Sequence, residues 1–272
     1  MVIDKTPVSF SFGKNWAEFA ERHLTEDRLA CAREHLLGFL ECGDLEGKYF
    51  LDIGSGSGLS SLAAFDAGAK RVVSFDIDPD SVATTRLLRR RRGDPDRWTV
   101  LHGSVLDAAF LDSIEPADIV YSRGVLHHTG RMWEALTNAI TRMRPGGLLY
   151  VALYTTSGSS TYWRDVKRRY NAVGPLRKQF MEWHYVFRDL VWPTLRGAKN
   201  GWKVVRDVRK SRGMNYYTNV KDWLGGYPYE FAKVEEVYKF CHDRHGLDLK
   251  NLATGEANSE YLFSDRRGER GG

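Results

Sequence analysis

The chain has 272 residues, 42% of them hydrophobic, with 40 lysines and arginines against 35 acids and a pI near 9.0: enough apolar residues for one large core with an elaboration, and charges too interleaved to signal a polyanionic partner such as nucleic acid. No apolar stretch reaches about 18 residues and no basic segment leads into an apolar run at the start, which argues against membrane insertion and export. Cys31, Cys42 and Cys241 are odd in number and lack metal-ligand spacing, which predicts reduced thiols in a soluble cytoplasmic protein without disulfides or a bound metal.

In chain order, residues 16–40 carry an amphipathic helical pattern. Residues 48–153 then alternate short apolar runs with longer amphipathic segments, the pattern of an α/β doubly wound sheet covered by helices on both faces. This predicts strands over 49–53, 72–76, 99–102, 118–122 and 148–153 and helices over 59–67, 81–91 and 132–143, with Pro145-Gly146-Gly147 as the turn into the fifth strand. Arg86 and the run from Arg89 to Arg92 fall at the end of the second of these helices, where cations meet the negative pole of the macrodipole; docking of an anion is the alternative. Residues 155–226 lose the alternation and are crowded with aromatic residues, among them Trp163, Tyr170, Phe180, Trp183, Trp192, Trp202 and Trp223, which marks a helical insertion after the fifth strand. The alternation resumes with a helix over 234–245 and strands over 247–252 and 260–263, and residues 266–272 read as a disordered tail.

Two pieces of this core describe a nucleotide site. Phe50-Leu51-Asp52-Ile53-Gly54-Ser55-Gly56-Ser57-Gly58 is an apolar strand ending in an acid and three alternating glycines, which let the backbone turn tightly and approach a ligand before the next helix. Val72-Val73-Ser74-Phe75-Asp76 is a second such strand ending in an acid, where a ribose lies if the two strands are neighbours in a parallel sheet. A dinucleotide fingerprint wants G-x-G-x-x-G, but Leu59 stands where its third glycine belongs. Asp52 is unhelpful to a pyrophosphate, yet suited to orient a ligand that carries an ammonium group, directly or through water. Both features point away from NAD.

On these residues the run resembles motif I of the class I S-adenosylmethionine-dependent methyltransferases. The resemblance implies a Rossmann-like, seven-stranded methyltransferase sheet with S-adenosylmethionine as cofactor. It sets the amino-acid end of the cofactor against Asp52, Gly54, Ser55, Gly56 and Gly58, and the ribose against Asp76 with Ile77 beside it, while Asp78 falls where it caps the next helix. His102-Gly103-Ser104-Val105-Leu106-Asp107 resembles the adenine-contacting segment, which makes Ser104 and Val105 cofactor contacts; many relatives place an acid where Ser104 stands. Tyr121-Ser122-Arg123-Gly124-Val125-Leu126-His127-His128-Thr129-Gly130 resembles the floor of the methyl-transfer site, with Ser122 toward the cofactor. Phe12-Gly13-Lys14-Asn15-Trp16 resembles the segment such enzymes fold over the bound cofactor, so Asn15 and Trp16 are lid contacts, although Trp16 serves equally as a core anchor. The implied organisation is a lid segment over 1–47, a cofactor-binding core over 48–154, a substrate cap over 155–230 and completion of the core over 231–265.

Methyl transfer from a sulfonium is an in-line displacement, so alignment and exclusion of water supply much of the rate. A hydroxyl acceptor also needs a base, and histidine titrates in the useful range. His127 is the favoured base and His128 the second candidate, the alternative for each being a backbone hydrogen bond or a helix cap. Tyr154, closing the fifth strand, orients an acceptor or is ordinary wall. An aromatic cap favours a small organic acceptor over a polymer. O-methylation of such a molecule is the leading expectation, followed by N- or C-methylation, then RNA or protein methylation, then cofactor binding without catalysis. Against a base or amide methylase stands the absence of an N/D-P-P-Y type run after the fourth strand. The segment Asp222-Trp223-Leu224-Gly225-Gly226-Tyr227-Pro228-Tyr229-Glu230 resembles a glycine-proline-aromatic turn shared by a bacterial small-molecule subgroup of these methyltransferases, and reads as a rigid turn returning the insertion to the core.

Overall fold

A computed structural model describes residues 25–198, 200–212, 216–255 and 257–265. Asn15, Trp16 and the tail over 266–272 lie outside the described residues. The first described helix, α1 (Glu26–Leu40), starts at Thr25, whose hydroxyl accepts the Arg28 N–H at 3.3 Å. Strands β1 (Tyr49–Ile53), β2 (Arg71–Asp76), β3 (Trp98–His102), β4 (Ala117–Arg123) and β5 (Met143–Tyr154) pair in parallel. Between them run α2 (Leu59–Asp66), α3 (Pro79–Arg91), the short α4 (Ala108–Asp112) and α5 (Met132–Thr141). After the insertion, α11 (Val234–Lys239) and a π-helical stretch (Phe240–Arg244) lead into β6 (Leu247–Thr254) and β7 (Asn258–Asp265), which closes antiparallel on β5. The order across the sheet is β3-β2-β1-β4-β5-β7-β6.

Successive residues of a strand face opposite sides, so a sheet covered on both faces demands apolar runs without alternation. All five residues of β1 are buried. Leu51 and Ile53 join Val73, Phe75, Val120 and the residues of α5 on one side, while Phe50 joins Val72, Tyr121, Tyr150 and the residues of α1 and α2 on the other. Burying each such side chain contributes on the order of 1.5–3 kcal/mol.

Local chemistry sets the helix ends. Asp78 caps α3, accepting from Asp80 N–H at 3.0 Å with Pro79 next in line, and Asp107 caps α4, accepting from Phe110 N–H at 3.1 Å. The arginine run closing α3 is tied locally, Arg92 to Asp66 at 2.6 Å and Arg89 to Asp94 at 3.2 Å. One expectation changes: Pro145-Gly146-Gly147 lies inside β5, which begins at Met143 opposite Ala117 and is irregular until Leu148 pairs with Ile119. Gly147 fits there because an added Cβ would stand 2.9 Å from the Arg144 carbonyl and 3.1 Å from that of Asp118.

Between β5 and α11 the insertion forms α6 (Ser160–Ala172), α7 (Pro175–Val186), a π-helical stretch (Phe187–Val191) running into α8 (Trp192–Leu195), α9 (Gly201–Arg212) and α10 (Tyr216–Gly225). Tyr170, Val220 and Leu224 are its buried centre, with Trp163, Val166, Met181, Tyr185, Tyr216 and Trp223 packed around them. Glu182 is buried at the same place and accepts the Tyr170 hydroxyl at 2.6 Å and that of Tyr217. No described helix is long and apolar enough to cross a membrane.

Candidate active site

The glycine loop leaves the carboxyl end of β1 and turns through three left-handed residues, Gly54 (φ 78°), Gly56 (φ 53°) and Gly58 (φ 76°). Two of the three are also demanded by the chain's own packing. A Cβ at Gly54 would stand 2.4 Å from the Val125 side chain, and one at Gly58 2.9 Å from Thr85 Cα. The loop is bound to β2: Gly54 and Ser55 donate their N–H groups to the Phe75 carbonyl at 2.8 and 3.0 Å, and Gly56 donates to Asp76 Oδ2 at 2.9 Å. Asp76 also accepts the Asp78 N–H at 2.9 Å, so its carboxylate stands at the corner between the loop and the end of β2. Ile77, two-thirds exposed, and Ser104, whose hydroxyl accepts the Leu106 N–H at 3.1 Å, continue along the same carboxyl edge of the sheet.

Asp52 lies beneath this loop. Trp98 Nε1–H donates to Ser74 Oγ at 2.9 Å, Ser74 pairs with Ser61 at 2.7 Å, and Ser61 donates to Asp52 Oδ2 at 2.5 Å. Ser61 has one hydroxyl proton, so the chain runs from indole to carboxylate in one direction. Burial pushes the Asp52 carboxyl up to about 7, further raised by Asp76 and opposed by Ser61. Burial likewise raises Asp76, against the N–H bonds from Asp78 and Gly56.

Other predicted cofactor contacts are engaged elsewhere. The Ser122 hydroxyl is fully buried and donates to the Ile53 carbonyl at 3.0 Å, which ties β4 to the end of β1 instead of facing a ligand. Ser55 Oγ pairs with Thr85 Oγ1 at 2.9 Å, and the Val105 side chain is buried in the core while its carbonyl accepts Asn138 Nδ2 at 2.9 Å.

After β4, Val125 packs on Gly54 and the chain makes a single 3-10 turn, Leu126–His128. His127 is 1% exposed and its Nδ1 accepts the Tyr154 N–H at 3.2 Å. A nitrogen that accepts carries no proton, so neutral His127 holds its proton on Nε2 and presents a donor there. That corrects the expectation of His127 as the base. Its affinity for a further proton is well below the ordinary histidine value, through burial first, then His128 and Lys167. His128 has the opposite tautomer: Nδ1 donates to the Pro228 carbonyl at 2.7 Å, which leaves the lone pair on Nε2. Burial lowers His128 to about 4 against that bond, with Lys167 adding to the lowering, so it is neutral at pH 7.

Aromatic rings enclose the pair. The Tyr154 ring lies 3.9 Å from that of His127, 4.9 Å from Tyr229 and 6.3 Å from Trp223. Lys167 is fully buried against these rings, its Nζ 3.9 Å from the Trp223 ring and 5.0 Å from Tyr229, donating to the Trp223 carbonyl. The indole N–H of Trp223 is buried without an acceptor.

The segment 222–230 therefore does more than return the chain. Pro228 orients His128, the Glu230 N–H donates to the His127 carbonyl at 2.9 Å, and the Glu230 carboxylate accepts the first N–H of α5, that of Met132, at 3.0 Å. Lys167 was legible in one respect: it stands four residues after Trp163 and three before Tyr170, on the apolar stripe of α6, where its basic neighbours Arg168 and Arg169 disguise it.

Residues 51–149 match a family model described as a methyltransferase domain. Among curated proteins, the chain is similar to ribosomal protein L11 methyltransferase of Aliivibrio salmonicida, 32% identical over 114 residues that cover 42% of this chain and 36% of that protein. It is also similar to tRNA U34 carboxymethyltransferase of Chromohalobacter salexigens, 31% identical over 116 residues covering 43% and 35%. The chain thus spans less than half the length of the curated relatives it matches. In fold it is similar to magnesium protoporphyrin IX methyltransferase from Synechocystis PCC 6803 with bound S-adenosylhomocysteine, with a TM-score of 0.57 and 14% identity over 96% of this chain and 99% of that one. The glycine loop, with its acid beneath and a second acid at its corner, fits S-adenosylmethionine: Asp76 and Ile77 would hold the ribose side, and the glycine backbone, which a ligand can approach closely, with Asp52 beneath it, the amino-acid side. Residues 51–149 thus carry a methyltransferase domain, and the seven-stranded sheet built around it has the fold of S-adenosylmethionine-dependent methyltransferases.

Proposed function

We propose that the chain transfers a methyl group to the hydroxyl of a small organic acceptor held between the histidine turn and the aromatic rings of the insertion. When bound, S-adenosylmethionine supplies an electrophilic methyl group. The observation that carries the reading is the Nδ1–H bond of His128 to Pro228, which fixes the tautomer with the basic lone pair on Nε2 and casts His128 as the base for an acceptor proton. His127, held by Tyr154 N–H, positions the acceptor as a donor; Tyr154, Tyr229 and Trp223 exclude water, and the unpartnered Trp223 N–H suits an acceptor oxygen. Asn15 and Trp16 complete the reading as cofactor lid contacts, and the segment 155–230 as the acceptor cap.

The test pairs two variants. His128→Gln is expected to lower kcat on a hydroxylated acceptor by roughly 10²–10⁴-fold with S-adenosylhomocysteine affinity unchanged by calorimetry. His127→Gln, which keeps a side-chain donor and acceptor, is expected to act chiefly on KM. Retention of kcat in His128→Gln sinks the assignment. A neutral amine acceptor, which sheds its proton after attack, is the second reading, favoured by the low basicity of His128; it predicts turnover on amines that survives His128→Gln. An acceptor on RNA or protein, of the kind named for the curated relatives, draws support from the basic insertion and predicts activity that collapses as salt rises.

A further inference from the structure

The helix that runs from α7 through the π-helical stretch into α8 is apolar on both of its faces. Its inner face supplies Met181, Tyr185 and Val186 to the core of the insertion. Its outer face carries Leu176, Phe180, Trp183, Phe187, Val191 and Leu195, all exposed, Phe180 at 73% and Leu195 at 74%. A strict α-helix would carry Leu195 about 100° around the axis from Leu176. The π-helical turn at Phe187–Val191 takes an extra residue, which rotates the following turn back by about the same angle and keeps the six side chains on one line. The line is continued nearby by Trp192 and by Trp202 of α9, the latter 88% exposed. Isolated exposed apolar residues are ordinary on a protein surface; a continuous stripe along about twenty residues is not.

Charge selects what covers it. Residues 160–212 hold fourteen lysines and arginines against four acids, a surplus of ten, whereas the whole chain has a surplus of five, so the remainder is net acidic. Exposed Arg177 stands beside the stripe, Arg188, held on Tyr162 and Trp163, stands at the same edge, and exposed Lys203 and Arg206 stand on α9. A second copy would bring a like-charged face against this one. RNA would meet the charge and stack on the rings but leave Leu176, Val191 and Leu195 in water. We infer that this face docks on an anionic lipid surface, the stripe entering the headgroup boundary in the plane of the membrane and the basic residues meeting lipid phosphates.

The full chain is tested by sedimentation with phosphatidylcholine vesicles with and without phosphatidylglycerol. Binding is expected to the anionic vesicles, weakly to the neutral ones, and to fall with added salt. Phe180→Glu with Trp183→Glu is expected to weaken it roughly hundredfold, since two rings leave the boundary. Trp183 also hydrogen-bonds Tyr217, so Phe180→Glu alone, at a ring 73% exposed, is the stability control: its thermal midpoint is expected to match the parent while vesicle binding falls roughly tenfold. Arg177→Gln with Lys203→Gln, an independent arm, is expected to weaken anionic binding roughly 25-fold and leave neutral binding unchanged. Three outcomes overturn the inference: no vesicle binding by the parent chain, binding indifferent to both double variants, or a dimer in light scattering that Phe180→Glu with Trp183→Glu dissociates. Tight binding of tRNA lost in the same variants, without vesicle binding, assigns the face to nucleic acid instead.

Discussion

Gly54 has no room for a side chain and no backbone conformation that would suit one. With φ at 78° and Val125 Cγ1 2.4 Å from the place of a Cβ, Gly54→Ala is expected to cost about 3 kcal/mol or more by chemical denaturation, strain and overpacking together. Adding Val125→Ala is expected to recover the packing part and leave the strain. Asp52 has a different signature. Its carboxyl is raised to about 7 from an ordinary 3.8, so the protonated form is the one folding favours; that contribution is present below about pH 4 and lost as pH climbs through 7. The buried histidines act in the opposite direction and lower, with His128 at about 4, so their contribution is complete above the ordinary histidine value of 6.5. Between pH 4 and 6.5 the two trends oppose each other; above pH 6.5 the Asp52 loss is unopposed, at about 1 kcal/mol per pH unit near pH 6.5 and fading by pH 8, and Asp52→Asn is expected to flatten it in urea titrations. Glycine spacing and the flanking acids were legible from sequence because they obey local rules. The tautomers of His127 and His128 were not, because each is set by a backbone partner about 27 or 100 residues away.

At the scale of elements, the insertion is stabilised by polar satisfaction as much as by apolar burial. Glu182 on α7 receives hydroxyl donors from Tyr170 on α6 and Tyr217 on α10, which fastens three helices at one buried carboxylate. Glu182→Leu leaves two hydroxyls without their acceptor and is expected to cost about 2–4 kcal/mol in the insertion. Hydrogen exchange is the measurement: amides of α6, α7 and α10 are expected to lose protection while those of β1, β4 and β5 keep theirs. The aromatic abundance of this region announced helices but not which rings face inward. Trp163, Tyr170 and Tyr216 pack inside and Phe180, Trp183 and Trp202 face out, and hydrophobicity alone does not separate the two sets. Pro145-Gly146-Gly147 misled for a related reason: turn-forming residues were accommodated as an irregular strand start once Met143 found a partner in Ala117.

Across the whole molecule, one carboxylate connects distant parts of the chain. Glu260 on β7 accepts from His35 on α1 at 3.1 Å, from Arg123 at the end of β4 at 3.0 Å and from the Tyr150 hydroxyl on β5. Burial raises its carboxyl, but the bonds from His35 and Tyr150 and the Arg123 guanidinium outweigh it and hold it down to about 2. A depressed carboxyl contributes stability above its ordinary value of 4.5, lost as pH falls through 2. Glu260→Gln is expected to cost about 1.5–3 kcal/mol at pH 7 in a global melt and to remove part of the acid sensitivity below pH 4.5. This cluster spans 225 residues and joins groups that are unremarkable individually in sequence.

By itself the sequence determined the order of strands and the glycine turn, because apolar periodicity, left-handed glycines and helix caps act over a few residues, and the cofactor followed from the resemblance those residues carry. Tertiary structure alone decided which nitrogen of each histidine holds the proton, which lysine is buried among rings and which aromatic residues are left exposed. Those depend on contacts between residues 27 to 100 positions apart, whose approach is fixed by packing rather than by any local signal.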